Sequence, residues 1–413
     1  MPEIARIRDD FPILKRSLNG KPLVYLDNGA TSQKPQAVID SLARYYSEIN
    51  ANIHRGAHGL GSEATAAFEQ ARGLVARFIG ANNGNEVIFT RNTTESINLV
   101  AQSWGRANLK AGDEILISEL EHHANWVPWA MLAKEKGAAL KYLPLAEDGS
   151  IDLKRGRALV TAKTKMLAFS WVSNVLGTVN PVAEIVALAK SVGAMVLIDA
   201  AQAAPHFALN LKDSGADFAA FSAHKMLGPT GVGVLWGREA VLEAMPPWQG
   251  GGSMIEKVTK DGITWNRLPW RFEAGTPDIG GVIALGEAIK YLGALGWEAI
   301  QAHEALLSAR VLEHFAKIEG LRLYGSPRAE GRVAVFSFNL EGLNAQDVGA
   351  LLDSMGLALR VGNHCAQPLM SRFECAGMVR ASFYLYNTVE EADQLAAALA
   401  KVKGILGKET AKK

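Results

Sequence analysis

The stretch GAMVLIDAAQ, residues Gly193 to Gln202, decides the fold class. Its apolar run shows no alternation with polar residues, which indicates a strand buried on both faces, and it ends in Asp199. Strands of this kind joined by helical segments predict a mostly parallel α/β sheet covered on both faces. Similar runs are NEVIFT (85–90), DEILIS (113–118), KMLAFSWVS (165–173), ADFAAFSAHK (216–225) and GVGVLWG (231–237).

The last third of the chain has a different pattern. A long helical stretch is predicted over residues 284–318, and the strand-like RVAVFSFNL follows at 332–340. NAQDVGALLDSMG then predicts a helix with Asn344 as its N-cap, and LALRVG and MVRASFYLY predict further strands. This part of the chain is typical of a smaller α+β domain.

The composition excludes several classes of protein. The 413 residues carry a formal net charge of +1, so no basic excess exists to collect the phosphates of nucleic acids or membranes. Two cysteines are too few for a disulfide framework, and no Cys/His spacing typical of a metal site occurs. The start, MPEIARIRDDFPIL, does not resemble a signal peptide, and no apolar run is long enough to span a membrane. We expect a cytoplasmic protein.

Two polar residues at predicted strand ends point to a common chemistry. Asp199 could cap a helix, or it could hold a protonated heterocycle nitrogen. Lys225 follows another strand in SAHKMLGPTGVG, although lysines are usually found on the surface. A lysine buried at a strand end has its pKa lowered and becomes a Schiff-base nucleophile. Such an aspartate and such a lysine are the usual protein partners of pyridoxal phosphate.

Two further segments follow strands at the same predicted edge. RNTTESINLV, residues 91–100, places hydroxyl residues at a helix start, which is an ordinary capping pattern or, beside a Schiff-base lysine, a phosphate site. ELEHHANWVPW, residues 119–129, contains two adjacent histidines. One of them could stack over the cofactor and relay protons near neutral pH, although a histidine is more often a hydrogen-bonded polar residue.

Cys365 lies in the polar loop RVGNHCAQP, after the strand-like LALRV. Positive charge from Arg360 and His364 would favour a reactive thiolate, whereas a buried structural cysteine is the alternative. A hydrolase-type pair with His364 is disfavoured, because adjacent residues on an extended segment point to opposite faces. We expect Cys375, in RFECAGMV, to be a packing or idle thiol.

Taken together, the motifs resemble the group II cysteine desulfurases, the SufS/CsdA type of fold type I pyridoxal-phosphate enzymes, which are similar to class V aminotransferases. The resemblance implies a large domain at residues 21–284 with a mostly parallel sheet of seven strands. Residues 1–20 and 285–413 would form the smaller α+β domain that carries Cys365. In chain order, the motifs are YLDNGATSQKP, NIHRGAH, TTES, EHHAN, SNVLGTVNP, DAAQ, SAHKMLGPTGVG, RFEAGTP, HCAQPLM and RASFYLYNT.

The resemblance also implies roles at matching positions of the cofactor site. Lys225 would form a Schiff base with pyridoxal 5'-phosphate, Asp199 would pair with the pyridine nitrogen, and Gln202 with the phenolic oxygen. His122 would stack on the ring and shuttle protons. The phosphate would be held by Thr93, Thr94, Ser222 and His224, together with Thr276 from the neighbouring subunit. A homodimer with shared active sites follows.

For the substrate, L-cysteine, the resemblance implies a carboxylate clamp formed by Arg380 with help from Asn174. Arg360, His54 and Arg55 would line the entrance. The glycines of WQGGGSMIEKV, residues 248–258, are typical of a flexible loop, whereas in the family this region is a hairpin that covers the partner's site. No metal is implied.

The implied reaction is cysteine desulfuration. Lys225 would remove the α-proton, and the thiolate of Cys365 would attack the substrate sulfur. The products are L-alanine and a persulfide on Cys365, which an acceptor protein would take for iron–sulfur cluster assembly. Alternatives within the cofactor class are a selenocysteine lyase, which could be a second activity, a kynureninase-like enzyme or an aminotransferase. A non-catalytic sulfur-trafficking protein is an alternative outside it.

Three positions bear on the finer expectations. Asn363 stands where the family often has histidine, and Asn92 where it often has glycine. Asparagine tolerates left-handed backbone angles, so the turn at Asn92 can survive. Relatives that deliver sulfur to a zinc-bearing scaffold use a histidine near GLNAQDVG, where this chain has Asn344. This favours a SufE-like acceptor, whose own thiol takes the persulfide.

Overall fold

The computed structural model describes residues 4–410. The predicted small domain also included residues 1–3 and 411–413, which lie outside the described residues. The strands are β1 Ser17–Leu18, β2 Lys21–Pro22, β3 Val24–Tyr25, β4 Val87–Thr90, β5 Glu114–Ser118, β6 Ala139–Leu143, β7 Thr164–Ser170, β8 Met195–Asp199, β9 Phe218–Ser222, β10 Gly233–Gly237, β11 Ile255–Val258, β12 Ile263–Trp265, β13 Leu321–Tyr324, β14 Val335–Leu340, β15 Leu357–Ala358, β16 Arg360–Gly362 and β17 Met378–Ser382.

The helices alternate with these strands through the first two thirds of the chain. The α-helices are α1 Ile4–Asp9, α2 Gln36–Arg44, α3 Gly59–Phe78, α4 Thr93–Val100, α5 Arg106–Asn108, α6 Val127–Lys136, α7 Leu153–Gly156, α8 Val182–Lys190, α9 Glu239–Ala244, α10 Ile279–Leu295, α11 Trp297–Phe315, α12 Ala345–Ser354, α13 Gln367–Arg372 and α14 Val389–Thr410. Short 3₁₀ or π turns lie at Pro12–Lys15, Tyr45–Ile49, Gly84–Glu86, Ala101–Gly105, His123–Asn125, Arg157–Leu159, Lys212–Ser214, Ala223–Lys225 and Trp270–Phe272.

Seven strands form the large sheet, in the spatial order β4-β10-β9-β8-β7-β5-β6. The strands from β9 to β6 are parallel, and β10 runs antiparallel to both of its neighbours. In β8, Leu197 and Ile198 are fully buried in apolar clusters on opposite faces of the sheet. The strand is therefore apolar on both faces up to Asp199, and the prediction of a mostly parallel, doubly covered sheet is confirmed.

A second, antiparallel sheet has the order β13-β14-β17-β16. Its register places Arg380 of β17 between Ser337 on β14 and Arg360 on β16. Strand β3 pairs in parallel with β15, so the chain just after residue 21 is bonded to its C-terminal third. The domain boundaries themselves stay a prediction.

The prediction of one continuous helix over residues 284–318 is wrong. This stretch is two helices, α10 and α11, which meet at Gly296 with a bend of 76°. Gly296 has a φ of 82°, a left-handed value that an α-helix does not contain. No single helix among residues 4–410 combines the length and apolarity needed to cross a membrane, and α10 and α11 pass that test only when joined.

The segment 248–258, expected from its glycines to be a flexible loop, ends in a strand. Strand β11 pairs antiparallel with β12 and forms a hairpin. Val258, Ile263 and Trp265 of this hairpin are exposed apolar residues. The hairpin form agrees with the resemblance, whereas the glycines alone indicated only flexibility.

Candidate active site

The carboxyl ends of β7, β8 and β9 meet at one edge of the large sheet, where they end in Ser170, Asp199 and Ser222. A cavity of about 270 Å³ opens at this edge. The fold thus brings predicted site residues from distant parts of the sequence into one cavity. Those that line it are Thr93, Thr94, His122, Asn174, Asp199, Gln202, Ser222, His224, Lys225, Arg360 and Arg380.

Lys225 and Asp199 form the electrostatic centre of this cavity. Lys225 ends a 3₁₀ turn directly after β9, and burial lowers the pKa of its amine to about 8, although the charge of Asp199 opposes this shift. Burial raises the pKa of Asp199, while the charge of Lys225 lowers it. The carboxylate is buried, and its Oδ1 accepts a hydrogen bond from the Ala201 N–H at 2.9 Å. The cavity therefore holds an amine whose lowered pKa favours its nucleophilic form, together with a buried carboxylate.

The start of α4 is joined to the end of β9. Ser222 Oγ accepts a hydrogen bond from the Thr93 N–H at 2.8 Å and lies 2.6 Å from Thr93 Oγ1. The preceding residue, Asn92, caps α4 by accepting a hydrogen bond from the Glu95 N–H at 2.9 Å. The turn at Asn92 does not use the left-handed backbone that asparagine tolerates, since its φ of −176° is extended and its side chain serves as the helix cap.

His122 and His224 are both held neutral by their surroundings. Burial and then the charge of Lys225 lower the pKa of His122 to about 3 and that of His224 to about 4. His122 Nδ1 accepts a hydrogen bond from the Ala124 N–H at 3.0 Å. The prediction of a His122 that titrates near neutral pH is therefore not supported by its environment, in which burial beside cations disfavours the imidazolium.

Gln202 faces the cavity three residues after Asp199. Its Nε2 donates a hydrogen bond to the carbonyl of Gly29 at 2.7 Å. An amide nitrogen carries two hydrogens, so one donor remains for an oxygen of a bound ligand. This is consistent with the role that the resemblance implies.

Arg380 lies on β17 and is 1% exposed. Its Nη1 donates to the Asn174 carbonyl and its Nη2 to Asp27 Oδ1, both at 2.9 Å. Asn174 Nδ2 in turn donates to the His364 carbonyl at 2.7 Å. Asn174 therefore connects the buried guanidinium to the loop of Cys365.

Cys365 lies on a tight loop beside the cavity, and its neighbour Arg360 lines the cavity. Arg360 Nη2 donates to Cys365 Sγ at 3.4 Å. The backbone is pinned on both sides of the sulfur. Asn363 Oδ1 accepts from the Cys365 N–H at 2.9 Å, and the Cys365 carbonyl accepts from the His123 N–H at 2.7 Å. Asn363, which departs from the family pattern, thus helps to shape the thiol loop.

Two expectations about His364 are corrected. Burial lowers its pKa to about 3, with the charges of Arg380 and Arg360 acting in the same direction, so it supplies no positive charge to Cys365. The segment is also not extended, because His364 and Cys365 have left-handed φ values of 50° and 58°. His364 Nε2 bonds to the Met378 carbonyl at 3.0 Å, so this nitrogen is engaged away from the thiol.

Comparisons with known proteins agree over nearly the whole chain. The model of the aminotransferase class V family matches residues 24–395. A cysteine desulfurase from Klebsiella pneumoniae (strain 342) is 50% identical over 405 residues, which cover 98% of this chain and 99% of the relative. This chain belongs to the cysteine desulfurases of that family. A cysteine desulfurase from Salmonella typhimurium is 49% identical over the same coverage.

Solved structures support the same assignment. The crystal structure of the Escherichia coli cysteine desulfurase CsdA (S-sulfonic acid) matches with a TM-score of 0.90 at 38% identity, covering 98% of this chain and 99% of that one. The apo cysteine desulfurase from Thermococcus onnurineus NA1 also has a TM-score of 0.90, at 39% identity, with 95% and 98% covered. Enzymes of this family depend on pyridoxal phosphate.

Three residues predicted for the desulfurase site lie outside the cavity of the single chain. Thr276 lines a second cavity, of about 490 Å³. His54 Nε2 lies 2.9 Å from Glu69 Oε1, and Arg55 is exposed. The single chain does not bring these residues into the cavity of Lys225, so their roles stay predictions.

Sequence reasoning missed several residues that shape the desulfurase site. Glu121, directly before His122, is 1% exposed and accepts hydrogen bonds from the Ser170 N–H at 2.9 Å and from Ser170 Oγ and Asn125 Nδ2 at 2.6 Å. Asp27 pairs with Arg380. Both lie inside motifs that were recognised, EHHAN and YLDNGATSQKP, but Ser170 follows Glu121 by 49 positions and Arg380 follows Asp27 by 353.

Proposed function

We propose that this cysteine desulfurase converts L-cysteine into L-alanine and stores the released sulfur as a persulfide on Cys365. The observation that carries the proposal is the bond from Arg360, a residue of the cavity that holds Lys225, to Cys365 Sγ at 3.4 Å. The thiol is held next to the cavity rather than buried in a packed core. A reactive sulfur needs such an electropositive and partly exposed place.

The residues of the cavity fit pyridoxal phosphate. Asp199 is buried and forms no salt bridge among residues 4–410, so a protonated ring nitrogen would give it the cation that it lacks. Lys225 would attach the cofactor, Gln202 would donate to it, and the phosphate would lie near Thr94 and His224. When bound, pyridoxal phosphate withdraws electrons from the α-carbon of an amino acid.

Lys225 is suited to taking up the α-proton of the substrate. With a pKa of about 8, about a tenth of its amine is neutral at pH 7, roughly a few hundred times the neutral fraction of an exposed lysine. Arg380 would bind the carboxylate of L-cysteine. His122 would contribute a neutral ring that stacks and exchanges protons only transiently.

Sulfur transfer involves the Cys365 thiolate as the nucleophile. A bond forms between Cys365 Sγ and the substrate sulfur, and the bond between that sulfur and the substrate carbon breaks. The electron pair of the broken bond stays with the carbon product, which takes up a proton and becomes L-alanine. Arg360 supports this step, since its guanidinium stabilises negative charge on Sγ.

The acceptor that best fits is a SufE-like protein for iron–sulfur cluster assembly. Cys365 lies on a pinned loop, so an acceptor thiol has to approach it. Asn344, where zinc-scaffold relatives have a histidine, is occupied in capping α12 through a bond from the Gln346 N–H at 2.8 Å. We also propose a cytoplasmic location, and selenocysteine as a second substrate.

We further propose a homodimer with shared sites. Thr276, His54 and Arg55 lie away from the cavity of their own chain, and the β11–β12 hairpin exposes apolar side chains. A second copy could use both features at once. Sedimentation of the purified protein tests this, and activity that persists in a monomer would contradict it.

The activity is tested by measuring L-alanine and sulfide made from L-cysteine, with and without a SufE-like protein and, separately, a zinc-bearing scaffold protein. We expect L-alanine and a larger stimulation by the SufE-like protein. A purified, cofactor-loaded protein that makes no L-alanine would refute the desulfurase proposal. A larger stimulation by the scaffold protein would refute only the choice of acceptor.

A further inference from the structure

Two hydrogen bonds hold the guanidinium of Arg380, one at each of its outer nitrogens. Nη2 donates to Asp27 Oδ1 and Nη1 to the Asn174 carbonyl, each at 2.9 Å. The third nitrogen, Nε, is buried and has no partner among residues 4–410. A buried donor without a partner is costly, so this edge of the guanidinium is suited to an incoming anion.

Asp27 is well placed to fix the orientation of Arg380, because its backbone is fixed. It follows β3, where the Leu26 N–H donates to the Ala358 carbonyl at 2.9 Å. Asp27 itself bridges to Ser382, two residues after Arg380 on the same strand segment. The carboxylate and the guanidinium are therefore carried by bonded backbones, and their relative position is defined by main-chain hydrogen bonds.

Gly29 covers the face of the same guanidinium. A Cβ atom at Gly29 would lie 3.2 Å from Arg380 Cζ and 3.3 Å from Nη2. The Gly29 N–H donates to Ser382 Oγ at 2.8 Å, and its carbonyl accepts from Gln202. The backbone at Gly29 thus limits movement of the guanidinium out of its plane, and a larger residue would press on it.

We infer that Asp27 is a positioning residue that orients Arg380 for the substrate carboxylate. The backbone of Gly29 limits how far the guanidinium can move out of its plane. This rests on the proposed role of Arg380 in binding L-cysteine. Asp27 takes one hydrogen of Nη2, so Nε–H and the second Nη2 hydrogen remain for the substrate carboxylate, which can bind them through two parallel hydrogen bonds. Asp27 acts through Arg380 and does not touch the substrate.

The test compares Asp27→Asn with wild type in the cofactor-loaded enzyme. Asparagine keeps the size of the side chain and removes its charge. We expect the KM for L-cysteine and the Kd for L-alanine, followed by the visible absorbance of the cofactor, to rise about ten-fold, with kcat nearly unchanged. In an Arg380→Ala background, Asp27→Asn should add nothing to either constant.

Asp393→Asn is the matched control, since Asp393 pairs with Arg310 at 2.7 Å on a more exposed part of the chain. An unchanged KM and Kd in Asp27→Asn would overturn the inference, and so would a full effect that persists in the Arg380→Ala background or an equal effect in Asp393→Asn. A wild type that makes no L-alanine would instead refute the proposed function.

Gly29→Ala provides a second variant if Asp27→Asn does not fold. Gly29 has no left-handed φ, so alanine fits the backbone, and the added methyl presses on the guanidinium without removing a charge. We expect KM to rise and kcat to hold. A wild-type KM in Gly29→Ala would overturn the role given to Gly29. If Asp27→Asn cannot be made, the same result would overturn the whole inference.

Discussion

The guanidinium of Arg360 donates a hydrogen bond to the sulfur of Cys365, with 3.4 Å between Nη2 and Sγ. Arg360 also lies beside Arg380 in the register of β16 and β17. The strand pair β16–β17 therefore carries both Arg360, which places a positive charge beside the thiol, and Arg380, which is proposed to bind the substrate. The position of the sulfur is fixed relative to the substrate site by the sheet itself.

Arg360→Ala should make Cys365 a poorer nucleophile. Without the guanidinium, the sulfur loses the cation that stabilises its negative charge during attack, so alkylation of Cys365 by iodoacetamide near neutral pH should slow by about ten-fold. Arg360→Lys keeps the charge and should lose less. Peptide mass spectrometry measures the rate at Cys365, with Cys375 in the same molecule as an internal reference. Equal rates in wild type and Arg360→Ala would show that Arg360 does not activate the thiol.

The attachment of pyridoxal phosphate should depend on pH through Lys225. Because burial lowers the pKa of this amine to about 8, its neutral and nucleophilic fraction rises through about pH 8. The rate at which apo protein gains the visible absorbance of the bound cofactor should follow this rise and level off above it.

Two variants check this reading of Lys225. Asp199→Asn removes a charge that raises the pKa of Lys225, so the midpoint should move to lower pH. Lys225→Ala should bind no cofactor that borohydride can fix to the chain. A borohydride-fixed adduct in Lys225→Ala would exclude this lysine as the attachment point.

The fold and the candidate site differ in how far the sequence predicts them. Six of the seven strands of the large sheet follow from local apolar runs, whereas the largely uncovered β6, ALKYL, contains no such run. Asp199 and Lys225 stand out because they end such runs. The bend at Gly296 is missed because apolar residues continue with helical spacing on both sides of it. The neutral state of His122 and His364 is missed because it depends on burial and on charges brought by other elements.

The residues that hold the reactive groups in place are the hardest to predict from the sequence. Asp27 and Arg380 are 353 positions apart, and His123 meets the Cys365 loop only in the folded chain. No periodicity or spacing encodes such a pair. The resemblance located the motifs, but only the packing shows which of their residues hold the reactive groups in place.

Glu121 should make the stability of the protein depend on pH. Burial raises the pKa of its carboxyl from 4.5 to about 7, so the folded protein binds a proton more tightly than the unfolded chain does. This contribution is fully present below about pH 4.5 and is lost as the pH rises through 7, a loss of about 3 kcal/mol in the free energy of unfolding.

Urea unfolding of wild type and Glu121→Gln at several pH values measures this effect. The difference between the two proteins should change over that pH range, because glutamine does not titrate. Glutamine should also destabilise the fold at every pH. Its amide N–H groups would face the donors of Ser170 and Asn125, which would leave buried donors without an acceptor. A pH-independent difference would show that folding leaves the pKa of Glu121 unchanged.

Cys365 is the residue proposed to receive the sulfur of L-cysteine. The most direct measurement is peptide mass spectrometry of the cofactor-loaded enzyme after a single turnover with L-cysteine labelled in its sulfur, without reductant. We predict that the peptide containing Cys365 gains one labelled sulfur atom per L-alanine formed, while the Cys375 peptide gains none. Formation of L-alanine with the label on Cys375, or on neither cysteine, would contradict the account.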